Sequence, residues 1–302
     1  MLAGLRTALR RNPLTLAAVE SPPVRLLART ARSARAVERP GRFFVSELTR
    51  RGGSTPHRLR ASSLIVNVRH GSRDMAIFRE IFGANPWPNV YEPPREVDEI
   101  LLAADTPRLA DLGANIGLFA LYALGRWPGS SVESFEPDPS NLPLLRAALA
   151  SNRLESRWTV REVAVSNADG ELPFVSGLHA ESQLAGVGDP TARAEDAVPL
   201  SKGAEIRVPV VDVFDVLERH VELVKIDIEG AEWAILADPR LAELDADAIV
   251  LEWHAMGCPD ADPRAAARRL LAAAGFELMH DADEAGPTGM LWAWRPGAHM
   301  RG

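Results

Sequence analysis

Along residues 108–294 the spacing of apolar side chains switches repeatedly between two periods. The runs 108–112, 131–136, 158–165, 222–227, 248–254, 276–280 and 290–294 have strand length, and 222–227 reads as apolar on both faces, like a buried parallel strand. Between them apolar residues recur at helical spacing, as Leu118, Leu121, Tyr122 and Leu124, then Leu142, Leu145 and Leu149. Asp212 is placed to cap a short helix through Phe214, Val216 and Leu217. Asp262 and Pro263 open an Ala-rich helix that Gly275 closes. Strands and helices taking turns predict an α/β fold with a mostly parallel sheet. Ahead of this block the pattern predicts a strand over 63–68 and an amphipathic helix over 73–82, with Ile77, Phe78, Ile81 and Phe82 on one face. An aromatic loop over 85–91 and a helix over 96–103 follow. Residues 171–175 read as a strand turned back after the 167–170 turn. Residues 207–211 read as another, where Pro209 favours an edge, and 176–206 show no period and predict a long loop over the site.

The turn after the first run of the sheet is the most informative stretch. Gly113 and Gly117 lie between a strand and a helix, where bare backbone lets a ligand approach and the helix start offers free N–H groups. Their four-residue spacing lacks the third glycine of a dinucleotide fingerprint, and Asp111 puts a carboxylate where a pyrophosphate needs room. A ligand with an ammonium group suits the turn better, and a nicotinamide oxidoreductase is disfavoured. Glu136 ends the next strand, 23 residues after Gly113, near the separation at which an acid takes ribose hydroxyls in nucleoside-binding sheets.

These stretches carry a resemblance. Asp111-Leu112-Gly113-Ala114-Asn115-Ile116-Gly117, Phe135-Glu136-Pro137, Val163-Ala164-Val165-Ser166 and Leu223-Val224-Lys225-Ile226-Asp227-Ile228-Glu229-Gly230-Ala231-Glu232 together resemble the FkbM family of S-adenosylmethionine-dependent methyltransferases. The likeness runs from about residue 74 to about residue 294. It implies the class I methyltransferase fold, a Rossmann-like, seven-stranded, mostly parallel sheet with helices on both faces, here with an N-terminal helical and strand extension. It implies S-adenosylmethionine as cofactor and methyl transfer usually to oxygen. On that reading Asp111, Gly113, Ala114, Asn115 and Gly117 cradle the methionine portion, Glu136 with Pro137 takes the ribose, and Val163 and Ala164 border the adenine. Tyr91, in the segment that covers the cofactor in this family, is a candidate for the methionine end; capping of the core by Trp87 and Tyr91 is the alternative.

Charge adds an asymmetry. The chain of 302 residues has a net charge of −7, yet residues 1–60 hold 13 Arg and no Lys against three Glu, which leaves the remainder strongly acidic. Such an arm contacts phosphate or an acidic membrane surface or, more often, is a solvated helical extension or packs on its own acidic domain, and no nucleic-acid motif accompanies it. Cys258 is the only cysteine, so neither an internal disulfide nor a cysteine-cluster zinc site is expected. No apolar run approaches the roughly 20 residues of a membrane span, and the cytoplasm is the expected compartment. The expected division is an Arg-rich extension over 1–60, a cover segment over 61–104 and the cofactor-binding domain over 105–302. A homo-oligomer stays open.

Methyl transfer is an in-line displacement, and an alcohol acceptor must also lose its proton. In this fold the carboxyl ends of the fourth and fifth strands face the methyl group, which places Asp227, Glu229, Glu252 and His254 there. Asp227 or His254 is the expected general base, since a histidine titrates near neutrality without help, and Glu229 joins them as a catalytic candidate. Glu252 is a candidate for a buried polar network, Glu232 is expected to pair at the surface, and Trp233 and Trp253 read as core. The four acceptor-side groups offer oxygen ligands that suit magnesium, so a divalent cation is an alternative, but their spacing fits no metal signature and no metal is expected. Ser182 and Gln183, in the long loop, are candidates for acceptor contact. The expected activity is O-methylation of a hydroxyl on a sugar or secondary metabolite, a small-molecule acceptor. A carboxylate or nitrogen acceptor, or a non-catalytic scaffold docking a carrier partner, remains as alternative.

Overall fold

The computed structural model describes residues 22–49, 53–83, 89–177, 183–184, 204–283 and 287–298. It begins with helices α1 (Pro22–Ser33) and α2 (Pro40–Thr49), strands β1 (Ser54–Arg58) and β2 (Ile65–Arg69), and helices α3 (Asp74–Phe82) and α4 (Arg95–Ala103). The alternating region follows as β3 (Arg108–Leu112), α5 (Leu118–Arg126), β4 (Ser131–Phe135), α6 (Leu142–Asn152), β5 (Trp158–Arg161), β6 (Ala164–Ser166), β7 (Gly170–Ser176), β8 (Gln183–Leu184), β9 (Ala204–Asp212) and α7 (Val213–Val216). It closes with β10 (Val221–Ile226), α8 (Glu232–Leu236), β11 (Ala246–His254), α9 (Pro263–Ala273), β12 (Leu278–Asp283) and β13 (Thr288–Trp294).

Seven strands form one sheet in the order β12-β13-β11-β10-β3-β4-β5, and only β13 runs against its neighbours. This is the expected seven-stranded, mostly parallel architecture of class I methyltransferases. The chain leaves β3 toward β4 and β5 on one side and returns to β10 and β11 on the other, so the carboxyl ends of β3 and β10 flank the switch in strand order. Ligands of open α/β sheets bind at such a switch.

Strand alternation divides the core into two layers. Leu109, Leu223, Ala248 and Val250 face one, with Phe119, Leu121 and Leu145. Ala110, Val224, Ile249 and Leu251 face the other, with Trp233, Ile235 and Leu271. The N-terminal elements belong to the first layer through Val37, Phe43, Val66, Val68, Met75 and Phe78, all buried. Full burial of each large side chain contributes roughly 1.5–3 kcal/mol, so these elements are part of the core. Asn152 also ties α6 to β2, accepting from the Ile65 N–H at 2.7 Å and donating to its carbonyl at 2.8 Å. Among the described residues no helix is long and apolar enough to cross a membrane.

Three expectations are corrected. The run 158–165 is not one strand. β5 ends at Arg161 on the sheet's edge, and β6 joins a second, four-stranded sheet ordered β6-β9-β7-β8. An edge strand has no outer neighbour to hold it, so the chain swings away and buries Val165 against the second layer. Pro209 lies in β9, between β6 and β7 rather than at an edge. It is tolerated because β6 begins opposite Val210, one residue farther on. Finally, β10 is not wholly apolar, because Lys225 is buried within it. The expected 176–206 loop falls mostly outside the described residues; its described part holds β8, paired with β7, and the start of β9. Trp87 and Ser182, and the side chain of Gln183, lie outside the described residues.

Candidate active site

From β3 the chain turns through Gly113 (φ +80°), Asn115 (φ +51°) and Gly117 (φ +81°) into α5. A Cβ at Gly113 would stand 1.8 Å from the backbone oxygen of Asp227, and one at Gly117 2.6 Å from the Trp158 ring. Both positions therefore require glycine, and the β3 turn touches the end of β10 backbone to backbone. The N–H groups of Gly113 and Ala114 donate to Phe135 O at 3.1 and 3.0 Å. Asn115 N donates to Glu136 Oε2 at 2.6 Å. Buried Glu136 also accepts from Asp138 N at 2.8 Å and Asn141 Nδ2 at 3.3 Å. Burial pushes its carboxyl up to about 7 even against these donors. A carboxylate has about four acceptor sites, so one remains beyond these three bonds.

The Asn115 side-chain oxygen is buried with no hydrogen-bond partner. An orphaned acceptor of this kind costs about 1–3 kcal/mol unless a ligand donates to it. Pro137 is half-buried beside Glu136, and Val163 and buried Ala164 stand where the chain passes from β5 to β6. The cover segment reaches this end through Arg69, which donates to Asn141 Oδ1 at 2.6 Å and is held by Asp74 at 2.6 Å. The turn thus offers bare backbone, an unsatisfied acceptor and a carboxyl group side by side, an acceptor set suited to the ammonium and hydroxyl donors of an aminoacyl nucleoside.

Asp111 is fully buried, and the ammonium group it meets is the chain's own. Lys225 Nζ lies 3.2 Å from Asp111 Oδ1 and 3.3 Å from Asp227 Oδ2, and it donates to the carbonyls of Gly113 at 2.7 Å and Leu112 at 3.3 Å. Burial opposes the lysine's charge, but the carboxylates of Asp227 and Asp111 outweigh it and raise its pKa. Lys225 was not singled out in the sequence; its one signal is a charged residue inside an otherwise apolar run.

At the acceptor side Tyr91 is buried against Phe119, ring centroids 5.3 Å apart, and its hydroxyl donates to Asp227 Oδ2 at 3.4 Å. Burial raises the phenol's pKa well above the ordinary value, so the hydroxyl keeps its proton. Glu229 (φ +53°) and Gly230 (φ +94°) turn the chain after β10. Glu232 is not a surface residue. It is fully buried and accepts from Gly230 N at 2.8 Å, His254 N at 2.8 Å and the His254 ring through Nδ1 at 3.1 Å. The opposite ring nitrogen, Nε2, lies 3.4 Å from Glu229 Oε2. Burial works against charging this ring, but the Glu232 hydrogen bond and the fields of Glu229, Glu232 and Glu252 prevail, and its pKa stands well above 6.5. The expectation that His254 titrates near neutrality is therefore reversed: the ring is an imidazolium at pH 7. Burial pushes Glu229 up to about 7, and burial with Asp227 beside it raises Glu252 well above the usual range. Trp233 and Trp253 are buried as expected, the Trp233 indole donating to His254 O at 3.0 Å and Met256 O at 3.1 Å.

Residues 111–278 match the Methyltransferase FkbM domain family. Over 261 residues the chain is 25% identical to Methyltransferase sdnD of Sordaria araneosa, covering 78% of this chain and 94% of that protein. It is 31% identical over 166 residues to 31-O-demethyl-FK506 methyltransferase FkbM of Streptomyces tacrolimicus, covering 45% of this chain and 63% of that one. Among solved structures it is similar to a methyltransferase FkbM from Methylobacillus flagellatus, at 18% identity and a TM-score of 0.43. That match covers 63% of this chain, which spans 44% of the length of the solved protein.

Proposed function

The chain belongs to the FkbM methyltransferase family, and on that premise we propose that it methylates a hydroxyl of a small molecule, a sugar or another secondary metabolite, using S-adenosylmethionine. The observation that carries this reading is the meeting, at the carboxyl ends of the central strands, of the glycine turn, Glu136 and the Asp227–Glu229–His254 group. When bound, S-adenosylmethionine supplies a methyl group on a sulfonium centre. The backbone from Gly113 to Gly117 receives the methionine portion, with Ala114 inside that turn and Asn115 Oδ1 supplying a free acceptor. Asp111 holds the turn from beneath through Lys225. Glu136, followed by Pro137, takes a ribose hydroxyl on its remaining acceptor site, and Val163 and Ala164 border the base. Tyr91 closes the methionine end from the cover side and orients Asp227.

Glu229 takes the acceptor's proton. Its carboxyl, near 7, matches the working pH of a general base, whereas the charged His254 has no lone pair to offer and instead steadies negative charge on the acceptor oxygen. Asp227 orients the hydroxyl.

Titration calorimetry with S-adenosylhomocysteine tests the reading. Micromolar affinity, about 8 kcal/mol, is expected for the wild-type protein, with a loss of about tenfold or more in Glu136→Ala. Absence of binding by folded wild-type protein overturns it. Glu229→Gln is expected to bind the cofactor product normally and to lose turnover of hydroxyl acceptors by about 10²-fold or more. Retained turnover with a carboxylate acceptor, which needs no base, selects that acceptor class instead.

A further inference from the structure

The parallel ladder between β10 and β11 sets Ile226 beside Leu251. One residue on, the strand ends present Asp227 and Glu252, and two residues beyond those come Glu229 and His254. Acids from adjacent strands thus come together, an arrangement that is destabilising unless a cation answers it. Lys225 answers only in part, since it is already shared with Asp111 and two carbonyl oxygens.

The imidazole is prepared in a particular way. Glu232, fully buried, holds Nδ1 and also takes the backbone N–H groups of Gly230 and His254, so the ring cannot turn and Nε2 is left facing Glu229 at 3.4 Å. A carboxyl group gripping one ring nitrogen while the other points into a set of oxygen donors is how histidine ligands of metals are oriented. One ligand atom from each of Asp227, Glu252 and His254 lies within 4.8 Å of the others. Ligands about 2.0–2.2 Å from a shared ion stand roughly 3–4.4 Å apart, so small side-chain adjustments close the set.

We propose that Asp227, Glu252 and His254 bind a divalent cation of the magnesium or manganese class beside the methyl-acceptor position. Two carboxylates and one imidazole form an oxygen-rich donor set that suits these hard ions. The ion occupies the place of the Nε2 proton, takes over from the charged ring the task of steadying negative charge on the acceptor oxygen, and frees Glu229 from the ring. It also leaves coordination positions for the acceptor hydroxyl, whose proton then passes to Glu229. That role in activating the acceptor rests on the methyl-transfer reading above; binding of the ion does not.

The test is Mn²⁺ titration of the chelator-treated full chain, followed by the paramagnetic resonance signal of free Mn²⁺, with S-adenosylhomocysteine calorimetry and circular dichroism on the same samples. One saturable site is expected, weakened about tenfold or more by Glu252→Gln, by His254→Gln and, through ring orientation alone, by Glu232→Gln. Glu133→Gln, elsewhere on the sheet, leaves it unchanged. If His254→Gln fails to fold, Asp227→Asn and Glu252→Gln carry the test. No saturable Mn²⁺ site in the wild-type protein overturns the proposal, as does binding that survives the folded ligand variants. Cofactor-product binding without Mn²⁺ binding removes the ion and leaves the methyltransferase reading standing. Mn²⁺ binding without cofactor-product binding does the reverse.

Discussion

Two buried histidines in this protein share residue type and burial yet differ in charge. His57 is 4% exposed and His254 6% exposed. His57 belongs to a cluster under the N-terminal helices, where its Nε2 lies 2.9 Å from Nε2 of His70 and the other nitrogen of His70 meets Glu47 at 2.9 Å. Phe43 packs edge-on against both rings. There one carboxyl group serves two imidazoles, and burial, with His70 and Arg42 nearby, lowers the His57 pKa to about 4. At the carboxyl end of β11 the ratio is inverted, with Glu229, Glu232 and Glu252 around one imidazole, and the pKa moves up. Burial disfavours the charged ring in both places, so the sign of the shift follows from the acids that accompany it. The first arrangement builds a neutral core element and the second an acidic cradle for a cation or a reacting proton.

The largest expected effect comes from deepening the acid excess. Lys225→Met leaves Asp111 fully buried without its cation, and breaking a buried pair costs about 3–5 kcal/mol. Urea unfolding should show that loss, and a loss under 1 kcal/mol means that Lys225 does not hold the turn.

The neutral histidine should make stability sensitive to acid. Because the folded pKa of His57 is near 4 and the unfolded value near 6.5, the unfolded chain binds the extra proton between those limits. Stability is therefore intact above pH 6.5 and falls by about 2–3 kcal/mol as pH drops to 4. Glu47, whose carboxyl is held below its ordinary range, acts in the same direction. Denaturant midpoints across that range should flatten in His57→Gln, and an unchanged slope assigns the acid sensitivity elsewhere.

Altering one acid on each side sharpens the contrast. Glu232→Gln should lower the His254 pKa toward 6.5, read from its ring resonances, and cost about 1–3 kcal/mol for the donors it leaves poorly paired. Glu47→Gln should leave His57 uncharged at pH 7. Equal movement of the two rings would end the claim that carboxyl count decides. Smallest of all, Trp233→Phe removes one indole donor to the His254 and Met256 carbonyls and should cost about 1 kcal/mol in thermal unfolding, with the His254 titration unmoved.

Much of this molecule is legible without coordinates. The seven strand runs, the requirement for glycine at positions 113 and 117, the Asp212 and Asp262 caps and the acids at the strand ends all follow from patterns spanning a few residues. The break after Arg161 was not readable, because an apolar run looks the same whether it continues one sheet or starts another. Nor was the central placement of Pro209, which depends on where β6 begins. Glu232 was misread because a single acid near a helix start resembles a surface residue until its partners are known.

Residue order alone determined the fold class and the family and supplied the candidate site residues, since periodicity, turn chemistry and motifs are local and survive in one dimension. Charge state and pairing were decided only in three dimensions. Lys225 reaches the carbonyl of a glycine 112 positions away, and His254 is held by an acid 22 positions away. The free energy of a buried charge sums the fields of every group folded around it and the water removed from it, and neither quantity exists until the chain has closed.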